Sequence, residues 1–260
     1  MLISKVSLFA LLALGSAQAT TYTFTNVFPD NHIVGDAATF AIKNVIINVT
    51  TTQVQVTINT NYDNASLNPF TVNAGHSYTI QPGDFFFTQG GIFKFGVALE
   101  NHGGVVNSFN TGNTILNNDL YAINNANGIL TSDQVMNKQA GDGLIFNNGI
   151  DVWLRDNGAG SVTAYNNVVT PVTTPLTKNA TQPFYTINFT INRPSNASDP
   201  FNMLLNSNNW GFQFESADCA NDYFAGTVPE PGTLILIGLG LAALSVKPRA
   251  IRTGLRRLFR

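Results

Sequence analysis

Apolar and polar residues alternate strictly in several separate segments of the chain. The clearest runs cover residues 54–59, 93–99, 185–192 and 210–215. Because successive side chains of a β-strand point to opposite faces, this alternation predicts strands with one buried and one solvent-facing side. Further strands are expected at 39–49, 84–88, 151–155 and 161–166, with Gly-, Asn- and Pro-containing turns between them. The sequence predicts an all-β fold, a single β-sandwich or jelly-roll-like domain.

Two other parts of the body carry weaker signals. A single short helix is expected at residues 132–139, with Thr131 or Ser132 as its cap. The stretch 170–183 contains three prolines among threonines. We expect it to be a long surface loop within one domain, with a linker between two domains as the alternative.

Charge is scarce and unevenly distributed. Charged residues make up 11% of the chain, well below the usual ~25%. Residues 20–226 contain six basic and fourteen acidic side chains, a net charge of about −8. Nucleic acid requires a basic surface, so this body is not expected to bind it. The single cysteine, Cys219, excludes an internal disulfide framework and is expected to be inert.

Residues 1–19 have the pattern of a secretory signal peptide. Lys5 precedes the apolar run 6–14, and Ala17-Gln18-Ala19 provides a small-x-small cleavage site. The pattern predicts export, with signal peptidase as the first processing partner and an N-terminal signal helix before cleavage.

The other end, residues 227–260, has three parts with separate physical roles. Val228-Pro229-Glu230-Pro231 favours extended backbone that an enzyme can bind. The apolar run 233–246 predicts a transmembrane helix, although a spanning helix needs ~20 residues, so Lys247 and Arg249 are expected to snorkel to the interface. The basic tail 247–260 then stops transfer across the membrane. The stop-transfer cations are Lys247, Arg249, Arg252, Arg256 and Arg257.

This tripartite end resembles the PEP-CTERM sorting signal of exported bacterial proteins. The resemblance implies that exosortase, a membrane transpeptidase, recognises Val228, Pro229, Glu230 and Pro231 and cuts near them. It also implies a precursor anchored transiently in the inner membrane, followed by a location at the cell surface or outside the cell. The nucleophile of that reaction belongs to exosortase.

The body offers few candidates for catalysis. His32, His76 and His102 lack metal-pair spacing and are expected to be surface or turn residues, although Glu100 and His102 could form an acid–base pair. A glycoside hydrolase would need two carboxylates across a sugar, and four acidic residues on or beside expected strands are candidates. These are Asp84, Glu100, Asp151 and Glu215.

Sugar and metal binding have their own candidates. Trp153 and Trp210 could stack on sugar rings, although Trp210 is expected in the core because it is in phase with neighbouring phenylalanines. Calcium prefers oxygen ligands, and Asp151, Asp156 and Asn157 are weak candidates for it, with ordinary Asx turns as the alternative. No other cofactor is expected.

Three functions are compatible with this sequence. The first is a non-enzymatic surface or matrix protein associated with exopolysaccharide or biofilm, suggested by the sorting signal and the uncharged polar composition. The second is a carbohydrate-binding, lectin-like module. The third is a secreted glycoside hydrolase.

Overall fold

The computed structural model describes residues 19–26, 41–61, 70–71, 77–78, 82–106, 109–116, 119–136, 149–158, 160–165, 168–170, 177–178, 185–215 and 222–228. The signal peptide before Ala19 lies outside these residues. So do the sorting signal from Pro229 onward, His32, His76 and Cys219.

The described residues contain eighteen β-strands and two short α-helices. The strands are β1 (Thr20–Thr25), β2 (Ile42–Val49), β3 (Gln53–Thr60), β4 (Phe70–Thr71), β5 (Ser77–Tyr78), β6 (Phe85–Gln89), β7 (Ile92–Val97), β8 (His102–Val106), β9 (Phe109–Ile115), β10 (Leu120–Ile123), β11 (Ile129–Thr131), β12 (Asp151–Leu154), β13 (Val162–Ala164), β14 (Val168–Thr170), β15 (Thr177–Lys178), β16 (Tyr185–Asn192), β17 (Trp210–Glu215) and β18 (Tyr223–Thr227). The helices are α1 (Ser132–Met136) and α2 (Pro200–Leu205).

Two antiparallel sheets of six strands each dominate the fold. Sheet I has the order β1-β2-β3-β16-β14, and β15 also pairs with β16. Sheet II has the order β13-β10-β7-β6-β17-β18. Three two-stranded pairs, β4-β5, β8-β9 and β11-β12, complete the described strands. The predicted all-β fold is confirmed.

One hydrophobic core joins the two sheets. Aromatic rings make the contacts: Phe85 of β6 meets Phe189 of β16 at 5.4 Å between centroids, and Phe24 of β1 meets Phe212 of β17 at 4.8 Å. Burying such large apolar side chains is the main stabilising contribution available to a domain with one cysteine. Members from sheet I include Ile47, Val56, Ile58 and Ile191; those from sheet II include Phe87, Val97, Leu120 and Phe214.

The second helix is a correction to the sequence analysis, which expected only one. Asp199 caps α2, its carboxylate accepting a hydrogen bond from the Phe201 N–H at 2.8 Å, and Pro200 occupies the first turn. Six residues are too few to produce a helical period in the sequence. Phe201 is fully buried and meets Phe87 and Phe95 at 5.4 and 5.2 Å, so the helix closes one side of the core.

Two further predictions concern the helix at Ser132 and the stretch 170–183. The helix predicted to begin at Ser132 is present as α1, and its described part ends at Met136. The stretch 170–183, expected to be loop, contributes β15, which pairs with β16 through Thr177 and Thr186. Among the described residues no helix is long and apolar enough to cross a membrane, and the predicted segment 233–246 lies outside them.

Candidate functional sites

Asp84 is the centre of a buried polar cluster. Its side chain has no solvent exposure and accepts hydrogen bonds from the backbone N–H groups of Leu154 at 2.7 Å and Leu99 at 3.3 Å. Oδ2, the oxygen that accepts the Leu154 N–H, also lies 2.9 Å from Nε2 of His102. Asp84 directly precedes β6, so one carboxylate ties β6 to β12, to β8 and to Leu99, two residues after the end of β7. Its role in the fold is that of a buried acceptor for three elements.

His102 is not the surface residue that the sequence suggested. It is 6% exposed, and its ring stacks on Trp153 with centroids 4.5 Å apart and an interplanar angle of 5°. Its partner is Asp84, whereas the sequence analysis considered Glu100. Local sequence could not reveal this pair, because Asp84 is eighteen residues away. The Nδ1 atom of His102 is buried and makes no hydrogen bond.

Glu215 is a second buried carboxyl group. Burial raises the pKa of Glu215 well above its usual value, and the nearby charges of Asp151 and Asp84 act in the same direction. Its Oε1 accepts a hydrogen bond from the Gln213 amide at 2.6 Å, whereas Oε2 is buried without a hydrogen bond. Burial also raises the pKa of Asp151. The fold thus brings three of the four candidate hydrolase carboxylates into electrostatic contact.

That cluster is inaccessible to a large substrate. Asp84 and Glu215 are both completely buried, so neither can approach a glycosidic oxygen from this conformation. Trp153 and Trp210 are also buried, with 0% and 1% exposure, and cannot stack on a sugar from the surface. The expectation that Trp210 belongs to the core is confirmed.

The calcium candidates are separated along one strand. Asp151 begins β12, whereas Asp156 and Asn157 follow its end. The Asp156 carboxylate accepts the Gly158 N–H at 3.0 Å, as in an Asx turn, and the Asn113 amide at 3.2 Å. Within the described part of the chain, no group of three or more His, Cys, Asp and Glu residues is placed to hold a metal ion.

The outer side of sheet I carries mainly amide and hydroxyl groups and is called here the amide–hydroxyl face. Strand register aligns twelve outward positions in three rows across β1, β2, β3 and β16. They are Thr21, Asn48, Gln55 and Thr190; Thr23, Ile46, Thr57 and Asn188; and Thr25, Asn44, Asn59 and Thr186. None is charged. The polar alternation is visible in the sequence, whereas the alignment of the strands depends on their register.

Hydrogen bonds between neighbouring strands order this face. The Thr57 hydroxyl donates to the side-chain Oδ1 of Asn188 at 2.8 Å, and the Thr186 hydroxyl donates to Oδ1 of Asn59 at 2.9 Å. Asn59 in turn donates to Asn44 at 2.7 Å. The side chains are therefore held in place before any ligand arrives, which reduces the entropy lost on binding.

A groove of about 560 Å³ lies on the other sheet, beside α2. Tyr165 contributes an aromatic ring that is held edge-on against Phe95 at 5.3 Å, and its hydroxyl hydrogen-bonds Asp199. Burial, with the Asp199 charge next, raises the pKa of Tyr165. The remaining walls combine polar side chains with an exposed methionine: Gln89, Lys94, Asn124, Thr163 and Met203.

The two ends of the described body meet at one pole of the molecule. Thr20, the first residue of β1, and Val228, which follows β18, line the same cleft of about 320 Å³. Tyr22 packs edge-on against Trp210 in this region, with centroids 5.7 Å apart. Val228 donates its N–H to the Trp210 carbonyl at 2.9 Å. The chain therefore enters and leaves the two-sheet body on the same side.

Comparison with known proteins identifies the segment that follows. The fold is that of an all-β protein, and residues 227–250 match the PEP-CTERM protein-sorting motif. The chain is therefore an exported protein targeted to exosortase, anchored transiently in the membrane before its release. No curated relative and no solved structure matches the chain. The sorting motif predicted from Val228, Pro229, Glu230 and Pro231 lies inside the matched range.

Proposed function

We propose that the mature body is a non-enzymatic protein of the cell surface or extracellular matrix that associates with exopolysaccharide. Residues 20–226 form its single β-sandwich ectodomain in this proposal, after signal peptidase and exosortase have removed the two ends. The observation that carries the proposal is the amide–hydroxyl face. An uncharged surface rich in donors and acceptors complements the hydroxyl groups of a neutral polysaccharide.

The energetics favour many weak contacts over one deep site. Each hydrogen bond to a neutral sugar replaces bonds to water, so its net contribution is about 0.5–1.5 kcal/mol. A long polymer that contacts several rows at once gains affinity through multivalency. A face with ordered side chains on four strands is suited to that mode.

Retention of the mature domain on polysaccharide gels tests this proposal. We expect slower migration through a neutral β-glucan gel than through an inert gel, and no comparable retardation by anionic alginate. The Gln55→Glu/Asn188→Glu variant places two charges on the face and should weaken retention at least fivefold. The matched control Asn208→Asp/Asn209→Asp adds two charges in an exposed turn and should behave as the wild type.

Three results would reject the proposal. One is the absence of retardation by every polysaccharide offered. Another is the release of sugars during incubation, which would indicate catalysis. The third is recovery of the mature form only from the periplasm or inner membrane when cells of the native host are fractionated.

A lectin-like module is the second candidate, and the Tyr165 groove favours it. There, an aromatic ring with neighbouring amides offers stacking and directed hydrogen bonds to a short oligosaccharide. The two candidate functions differ in the residues that would bind the carbohydrate. Tyr165→Ala should abolish oligosaccharide binding if the groove is the site, whereas Gln55→Glu/Asn188→Glu should leave such binding unchanged.

A further inference from the structure

The sorting motif and the last strand share residues. The matched motif begins at position 227, yet Thr227 is the final residue of β18 and Val228 belongs to the main core. Val228 is 5% exposed, and its N–H is bonded to Trp210. The two residues that precede Pro229 are thus held by sheet II. An enzyme that binds this segment must therefore replace the contacts that these two residues make with sheet II.

β18 has the features of a strand that can separate without unfolding the rest. Among the described strands it pairs only with β17, over five residues from Tyr223 to Thr227, and none of the five is fully buried. β17 retains its pairing with β6 when β18 leaves. Local opening costs least at terminal edges, and here it also takes Phe224 off Phe212 and Val228 out of the core. Release of β18 is therefore the smallest structural change that frees the motif.

The position of the membrane adds a steric constraint. Only four residues separate Val228 from Thr233, where the predicted apolar segment begins, so the extended connection spans at most about 18 Å. Thr20, which follows the predicted signal peptide, lies at the same pole. In the precursor, this pole faces the membrane. A membrane enzyme approaching Pro229 meets the folded body on the amino-terminal side of its target.

We propose that exosortase processing requires β18 to separate from β17, so that the enzyme binds Thr227 and Val228 as extended chain together with the Pro-Glu-Pro motif. The proposal rests on the sorting signal and is independent of the proposed matrix function. Residues of the last strand then act as positioning residues. The stability of β18 on sheet II sets the fraction of precursor that is competent for processing.

A disulfide staple across the two strands tests this requirement. Gln213 and Ala225 are directly opposite in the β17-β18 ladder. Opposite Cα atoms in antiparallel sheets are about 4.5–5.5 Å apart, within the range that a disulfide bridges. The full-length precursor Gln213→Cys/Ala225→Cys, in a Cys219→Ser background, is expressed in a host with exosortase. Oxidation outside the cytoplasm closes the staple.

The matched control staples two strands that need not separate. Asn48 and Gln55 are opposite in the β2-β3 ladder, on the other sheet. Non-reducing gels measure staple formation, and pulse-chase immunoblots measure the conversion of precursor to the cut form. We expect the β17-β18 staple to slow processing at least tenfold and the Asn48→Cys/Gln55→Cys staple to leave it within twofold of the Cys219→Ser precursor.

A second variant, Gly226→Ala, should speed processing rather than slow it, and it needs no introduced cysteine. A Cβ atom at position 226 would lie 2.6 Å from the Phe212 ring and 2.9 Å from that of Phe24, so Gly226→Ala pushes β18 away from the body. We expect its precursor to be processed faster than the wild type, at least twofold. Equal processing of the two stapled precursors overturns the proposal, as does an unchanged rate in Gly226→Ala.

Discussion

Replacing Asp84 by asparagine should destabilise the whole body, because the Asp84 carboxylate serves three donors. The backbone N–H of Leu154 is fixed in β12 and that of Leu99 in the bend after β7, so neither can turn to another acceptor. His102 is confined by its stacking on Trp153. The new amide is nearly isosteric with the carboxylate but carries its own N–H groups, so at least one of these donors faces another donor.

The size of the expected loss in stability follows from the burial of Asp84 and its hydrogen-bond donors. A buried donor left without an acceptor costs about 1–3 kcal/mol. Some of this loss is offset because Asp84→Asn no longer buries a carboxylate. We therefore expect the free energy of unfolding to fall by about 1–3 kcal/mol, out of the 5–15 kcal/mol available to a typical domain.

Urea titration of the mature domain measures this loss. Trp153 and Trp210 are buried and report unfolding through their fluorescence. The control Asp133→Asn alters an exposed carboxylate that accepts one bond, from the Gly149 N–H, and should remain within about 1 kcal/mol of the wild type. A loss below about 1 kcal/mol for Asp84→Asn, with an unchanged denaturant slope, would refute the view that Asp84 links β6, β8 and β12.

Three other substitutions follow from the same structure. Burial raises the pKa of Glu215, so the native state holds this proton at higher pH than the unfolded chain. The free energy of unfolding should therefore fall with rising pH between the two pKa values, by up to about 1.4 kcal/mol per pH unit. Urea midpoints of Glu215→Gln should vary less with pH than those of the wild type, and an equal variation would contradict this account. Gly103 has φ 111°, and its Cβ would collide with the Asn113 carbonyl, so Gly103→Ala should lower the thermal midpoint; an unchanged midpoint would contradict that geometry. Phe201→Ala empties a fully buried position and should cost about 3–5 kcal/mol in urea titrations, whereas a loss near zero would mean that α2 is not part of the core.

Local patterns identified the main strands because burial on one face leaves a period of two in the sequence. The predicted ranges 185–192 and 210–215 coincide with β16 and β17. Several strands that the analysis did not predict are short or rich in small and polar residues, among them β8 and β9. Their pairing depends on partners elsewhere in the chain, so their own residues carry little signal.

The sorting signal was readable from the sequence alone because its parts follow one another along the chain. Proline geometry, apolar length and basic charge are local properties, and each acts without a folded partner. The destination of the protein therefore did not require a three-dimensional structure.

Tertiary structure decided everything that depends on distant residues. It paired Asp84 with His102 in the interior, aligned four strands into the amide–hydroxyl face, and placed Thr20 beside Val228. Register and sheet packing set these distances, and neither is encoded in a short stretch of sequence. The overlap of the sorting motif with β18 has the same origin, because only the folded chain gives Val228 a hydrogen-bond partner at Trp210.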